Sequence, residues 1–289
     1  MKRYLVLAFV AIVFNLVVAA SFPAQQAQAQ QTDASKGVRP HNLSASEVSR
    51  IVRTLSENET KFRQALNNYS FKRDATVQTV GMGGQITGEY HRVSQFVFDD
   101  TSRRFERITH FPAPTLTEIS LTTEDLEDLG GVQPFALEAS RIDQYDFNFL
   151  GKERIDELDL YVFDVSPKRM PDLKKTKERF FQGRVWVDDK DLQIVKARGK
   201  GVPEGKQRFP TFETYREQFD GKYWFPTYTY ADETLVFDTG QAVHVRMRVK
   251  YIDYKELKGK VEVIFDDDEP TPEETQPANP PPPAPAKKP

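Results

Sequence analysis

Residues 180–197 read FFQGRVWVDDKDLQIVKA. Side chains of an extended strand alternate between two faces. Phe181, Gly183, Val185 and Val187 therefore share one face, and Phe180, Gln182, Arg184 and Trp186 share the other. Asp188-Asp189-Lys190-Asp191 breaks the pattern with turn-forming residues. Leu192, Ile194 and Lys196 then alternate with Gln193, Val195 and Ala197 in a return strand. The stretch predicts a β-hairpin closed by a short acidic loop. Apolar residues on both faces mean that neither face is left wholly to solvent.

The same pattern recurs on both sides of this hairpin. Residues 70–80 alternate with Phe71, Ala75, Val77 and Thr79 in phase, and Gly81 to Gly84 form a turn. Residues 85–98 carry Ile86, Tyr90, Phe96 and Phe98 in one phase, turn at Asp99 to Ser102, and return over Arg104 to Phe111. Tyr145, Phe147 and Phe149 alternate up to Gly151, and 158–166 reads LDLYVFDVS. Residues 169–179 are basic and polar and predict a loop or short helix. Beyond the hairpin, Gly199 to Pro210 predicts a long loop. Residues 211–219, 223–230, 233–238 and 242–254 predict further strands, the first two joined by Asp220-Gly221, a hairpin signal.

Two helices interrupt the strands. Ser44-Ala45-Ser46-Glu47 is a capping box. Behind it Val48, Ile51, Val52, Leu55, Phe62 and Leu66 form one apolar stripe, which predicts an amphipathic helix over 44–68. A short helix is expected at 121–129, stopped by Gly130-Gly131. The sum is a mainly β, β-rich α+β protein. It is expected to form a single large curved antiparallel sheet, an unclosed half-barrel of about 10–11 strands, with one long and one or more short helices covering its concave face.

The ends of the chain differ from this middle. Lys2 and Arg3 precede the uncharged run LVLAFVAIVFNLVVAA at 5–20, and Ala27-Gln28-Ala29 offers a cleavage site. That is the form of a secretory signal peptide over 1–29, with a single membrane anchor as the alternative. Residues 30–42 are a polar leader, 43–265 the folded domain, and 266–289 an acidic, proline-rich tail expected to be disordered. The tail could serve as a proline-rich spacer. Without 1–29 the chain keeps 38 basic residues (40 less Lys2 and Arg3) against 43 acidic, a net charge of −5. No basic tract argues for nucleic acid. There is no cysteine, so neither a disulfide, a thiolate ligand nor a lipid-attachment site exists. Release as a soluble, monomeric protein into a periplasm is the expectation.

Motifs for chemistry are lacking. There is no G-x-S-x-G, and His41, His91, His110 and His244 are scattered without a motif. No metal-ligand spacing is present, and the clustered aspartates at 188–191 and 99–100 do not match a calcium loop. No metal or cofactor is expected. A carboxylate pair for glycoside hydrolysis stays open, because only three-dimensional spacing identifies one. The aromatic supply is large, 21 Phe, 11 Tyr and 2 Trp. Much of it suits core packing. A curved sheet so lined could also enclose an apolar cavity, where an acyl chain gains about 0.8 kcal/mol per buried CH2.

Several segments resemble a known family. They are Tyr161-x-Phe163-x-Val165-x-Pro167-Lys168, Gly183-x-Val185-Trp186-Val187-Asp188, Ile194-Val195-Lys196 with Gly199, and Tyr223-Trp224-Phe225-Pro226. Together they resemble the LolA/LolB-like lipoprotein carrier superfamily, in particular outer-membrane lipoprotein-sorting proteins, over roughly 70–255. The resemblance implies an unclosed β-barrel with a helical lid that carries acyl chains of lipoproteins, or other lipids, through an aqueous periplasm. Lipid-sensing regulators share that fold, so the fold alone does not settle the task. The expectation is an exported, non-enzymatic protein that binds a lipid or acylated protein, with transient membrane contact and envelope proteins as partners. Helix 44–68 and segment 112–131 would act as a mobile lid. The expected lining is Phe96, Phe98, Phe147, Phe149, Tyr161, Phe163 and Trp186. The alternatives are an envelope interaction module with a filled core and a hydrolase of envelope polymers.

Overall fold

The computed structural model describes residues 37–257, apart from 122–124, 126–135, 173–175, 177 and 205–207. The expected signal peptide, most of the polar leader, most of the short helix at 121–129 and the 266–289 tail lie outside the described residues.

Helix α1 spans Ala45–Leu66. The Glu47 N–H donates to Ser44 Oγ, and the Ser44 N–H donates to Glu47 Oε2 at 2.8 Å, so the capping box is complete. Ten strands follow: β1 (Tyr69–Val80), β2 (Ile86–Phe98), β3 (Arg104–His110), β4 (Tyr145–Ile155), β5 (Leu158–Pro167), β6 (Phe180–Asp188), β7 (Ile194–Val202), β8 (Phe212–Phe219), β9 (Tyr223–Val236) and β10 (Ala242–Glu256). All lie in one antiparallel sheet of order β3-β2-β1-β10-β9-β8-β7-β6-β5-β4. The edges β3 and β4 do not pair with each other, so the barrel stays open. The fold class expected from the sequence is the one observed.

Two local expectations change. Residues 223–230 and 233–238 form one continuous β9, because Ala231-Asp232 contains no residue that breaks a strand, and the count is ten. Strand β7 runs on to Val202, so the loop expected from Gly199 starts later. The β8–β9 turn forms as expected. Asp220 (φ 52) and Gly221 (φ 66) are both left-handed, as a tight primed turn requires.

The sheet has an inner face, covered by α1, and an outer face. The main core lies on the inner face. Ile51, Leu55 and Phe62 of α1 pack there with Phe71, Val77, Phe163, Phe181, Val185, Val187, Phe225 and Val249. A small second cluster on the outer face joins Leu160, Val162, Trp186 and Val195 to Val38, Leu150 and Trp224. This explains the two-sided apolarity of 180–197: Val185 and Val187 face inward, and Trp186 faces outward. The acidic turn of the hairpin is structural. Asp188 accepts the N–H groups of Lys190 and Asp191 at 2.7 and 3.1 Å. Asp189 pairs with Lys152 at 2.6 Å, and Asp191 accepts Trp224 Nε1 at 2.8 Å.

Strands β3 and β4 are opposite edges of the sheet, and residues 111–144 connect them, crossing between the two edges in sequence. This segment begins by lying on β2. The Thr115 N–H donates to Glu89 O, and the Glu89 N–H donates to Thr115 Oγ1, both at 2.9 Å. Gly88 permits this approach, since a Cβ there would lie 2.8 Å from Thr115 O. Leu116, Ile119 and Leu121 then pack on the inner core. The chain reaches α1 where Arg63 pairs with Glu138 at 2.6 Å and the Ala139 N–H donates to Thr60 Oγ1 at 3.0 Å.

Candidate functional site

The inner face is filled under α1 and open beside it. Under the helix, Glu59 and Arg216 form a buried two-pronged ion pair, with contacts of 2.6 and 3.0 Å. The Arg216 guanidinium lies over the Phe62 ring, 4.3 Å from its centre. Asn58 Nδ2 donates to the carbonyls of Asp191 and Leu192 at 3.0 and 3.1 Å, which ties α1 to the tip of the β6–β7 hairpin. At the helix C-terminus the Arg104 side chain reaches Leu66 O and Asn67 Oδ1. A cation at that end also complements the helix dipole. Burial lowers the pKa of Arg104 from its ordinary value. These links tie α1, expected from the sequence as a cover, to the sheet and to the tip of the β6–β7 hairpin.

Beyond the helix the inner face forms a half-open cavity of about 620 Å³. Sites that hold small molecules are typically about 300–1,000 Å³. The sheet contributes Val77 of β1, Val245 and Met247 of β10, Leu235 of β9, Phe212 of β8 and Gly201 of β7. The crossing segment adds Ile119 and Leu121, and the loops add Phe209, Pro210 and Phe237. No residue of α1 lines it. The inner phase of β7 is small, Ala197, Gly199 and Gly201. A Cβ at Gly199 would lie 2.5 Å from the Phe181 ring, so that ring lies directly on the bare backbone. Short side chains on β7, β1 and β10 leave the space that long ones would fill.

The polar lining divides: Glu118, Asp238, Thr239 and Gln241 are exposed, whereas Asp125, Arg179 and Arg208 are partly buried. Arg208 Nη2 donates to Asp238 Oδ1 at 2.5 Å, and its Nε donates to Val236 O at 2.9 Å. Arg179 sits 3.7 Å from Asp125 and over the Phe209 ring at 4.2 Å. Glu204 braces the same wall. Burial opposes its ionisation, but Lys200 at 2.7 Å and the Phe209 N–H at 3.1 Å outweigh it, and its carboxyl titrates below the ordinary value. Among the described residues, no three His, Cys, Asp or Glu side chains gather as a metal would require.

The seven aromatic residues expected from the sequence are not brought together. Phe147, Phe149, Tyr161 and Phe163 form one cluster on β4 and β5, with Phe149 and Phe163 ring centres 5.2 Å apart. Phe96 stacks on Phe71 at 4.5 Å on another part of the inner face. Phe98 is half-buried at the end of β2, opposite Arg104. Trp186 is on the outer face, where its Nε1 donates to Glu153 at 2.7 Å. None of the seven lines the 620 Å³ cavity. What the sequence reading passed over is the run of small inner residues at 197, 199 and 201, a signal of missing volume in a strand that otherwise reads as a core element.

No protein-family model matches the chain. No curated protein matches it. Solved structures do. A DUF1329 family protein from Desulfovibrio piger is 16% identical over 72% of this chain and 94% of its own, with a TM-score of 0.37. A LolA superfamily protein from Nitrosomonas europaea is 16% identical over 72% and 92%, with a TM-score of 0.33. An outer membrane lipoprotein-sorting protein domain from Vibrio parahaemolyticus is 13% identical over 74% and 97%, with a TM-score of 0.32. These neighbours include the superfamily that the sequence motifs resemble. The fold described for this chain rests on its own strand order and register. No helix among the described residues is long and apolar enough to cross a membrane.

Proposed function

We propose that this protein binds a lipid or acyl chain in the inner-face cavity, for carriage or sensing in the cell envelope. The observation that carries the reading is the cavity itself, a mainly apolar space of about 620 Å³ whose polar lining includes exposed Glu118 and Asp238. Such a space favours a ligand with an apolar tail and a polar end, because each buried CH2 contributes about 0.8 kcal/mol and the polar end keeps its hydrogen bonds. The contacts we propose are Val77, Leu121, Phe212, Leu235, Val245 and Met247, in place of the seven aromatic residues. Export by the 1–29 segment, release into a periplasm and exchange of the ligand with an acylated protein or membrane belong to the same proposal.

Mass spectrometry of organic extracts from protein purified without detergent tests it. Bound lipid is expected from the native chain. A Met247→Trp chain, in which an indole occupies the cavity, is expected to carry none. Native protein free of lipid, with a melting temperature indifferent to added acylated peptides, overturns the reading.

The interaction-module alternative predicts a filled core, and a half-open, mainly apolar space of this size disfavours it. One observation keeps an interaction role in view. Edge strand β3 and the residue after it expose Phe105, Ile108 and Phe111, each close to half accessible. Loss of a protein partner on Phe105→Lys, with lipid binding intact, would separate that role from the cavity.

A further inference from the structure

The cavity's polar lining has a charge arrangement that a generic apolar ligand does not explain. Among the described lining residues, two guanidinium groups, Arg179 and Arg208, stand with three carboxylates, Glu118, Asp125 and Asp238. Both arginines are already engaged. Arg179 is held between Asp125 at 3.7 Å and the Phe209 ring at 4.2 Å. Arg208 is held by Asp238 at 2.5 Å and by the Val236 carbonyl at 2.9 Å. Glu118 differs. The Thr87 hydroxyl donates to it at 2.6 Å, and no cation pairs with it among the described residues. Its side chain is exposed at the edge of the cavity lining.

We infer that the cavity selects an amphiphile whose head group carries no net negative charge, such as one bearing an ammonium group. The inference rests on the cavity-binding reading above. An anionic head group would meet Glu118 uncompensated. To reach a guanidinium it would also have to displace a carboxylate that already holds it. An ammonium-bearing or uncharged head group does neither, and its N–H donors can use Glu118 and Asp238 as acceptors. Exposed charges act through water and salt, so this discriminates between head groups without supplying most of the affinity.

The full chain, bound to the uncharged fluorescent probe N-phenyl-1-naphthylamine, supports a displacement test. The competitors are lysophosphatidylethanolamine and lysophosphatidylglycerol with the same acyl chain, both below their aggregation concentrations. The ethanolamine lipid is expected to displace the probe at about fivefold lower concentration, the effect of roughly one unit charge near a surface. The ratio should shrink in high salt. Glu118→Gln keeps the Thr87 hydrogen bond and should narrow the ratio, improving the glycerol lipid and weakening the ethanolamine lipid. Asp238→Asn should move it the same way. Equal or better displacement by the glycerol lipid with the native chain, or a ratio unmoved in both variants, overturns this inference and leaves the cavity reading standing. No probe binding, or binding undiminished by Met247→Trp, overturns the cavity reading and this inference together.

Discussion

The half of the inner face under α1 and the half beside it are built on the same sheet but with opposite residue choices. Under the helix the positions are large, and the last polar pair is sealed in. Phe225 touches Phe62, Tyr69, Phe219, Tyr223 and Tyr254, with ring centres 4.6–6.0 Å apart, and Glu59 meets Arg216 beside them. Beside the helix the positions are Val77, Gly201, Val245 and Met247, and a cavity remains. The difference teaches that the open half is a property of side-chain size and of where α1 is anchored. The sheet's curvature is common to both. Substitutions should therefore behave differently in the two halves.

The largest effect is expected at the ion pair. Arg216→Met leaves the Glu59 carboxylate buried without its partner, and should cost about 3–5 kcal/mol of stability by urea denaturation. Glu59→Met with Arg216→Met removes both charges and should restore most of that loss. A single variant within 1 kcal/mol of the native chain, on the order of a surface pair, would show that the pair does not fix the helix. Overpacking separates the halves next. Val187, fully buried in the filled half, should lose about 1–3 kcal/mol on Val187→Phe. Val245 faces the cavity, so Val245→Phe should cost less than about 1 kcal/mol while lowering lipid content. Similar costs at the two sites would mean that the cavity closes in solution.

An alkaline titration probes the filled half through Tyr251 and Tyr254. Burial pushes the Tyr251 hydroxyl up to about 12, and Tyr254, which donates to Pro226 O at 2.8 Å, is also raised by burial. The unfolded chain ionises near the ordinary value of 10. The stabilising contribution is therefore whole below pH 10 and is lost as pH rises through about 12. Tyr251→Phe should flatten that loss in melting temperature against pH. An unchanged profile would place the alkaline transition elsewhere.

The filled half was largely legible in the sequence, and the open half was not. The capping box, the apolar stripe of α1 and the 180–197 hairpin all follow from period and turn chemistry. Glu59 was a readable clue as well, a charge one turn after Leu55 and three residues before Phe62 on an otherwise apolar stripe. Its partner was not readable, because Arg216 sits in TFETYREQF like any charged strand residue. Register shifts account for much of the rest. Breaks at Phe149/Gly151, Trp186/Val187 and Tyr215/Arg216 change which face later residues occupy, and no alternation count detects them. Trp186 follows its alternation phase to the outer face, and nothing in the sequence announces the apolar cluster there. Among the described residues, the cavity draws on five strands and four connecting segments. Its one local trace, the small residues at 197, 199 and 201, reads as weak strand propensity until their neighbours are known.

The smallest effect is expected on the outer face of the strands that line the cavity. Asp232 of β9 accepts from His244, Tyr230 and Arg246, and its carboxyl is held down to about 2, chiefly by the His244 hydrogen bond. Its unfolded value is 3.8. A depressed carboxylate adds stability above the unfolded value and loses it as pH falls through the folded one. The site is near the surface, so Asp232→Asn should cost no more than about 1 kcal/mol at pH 7. The gap between variant and native chain should narrow as pH falls below 4 toward 2. Because Asp232 points away from the cavity, lipid content should not change. A loss of lipid in this variant would mean that the two faces of β9 and β10 are coupled, and the division between a structural outer face and a binding inner one would have to be redrawn.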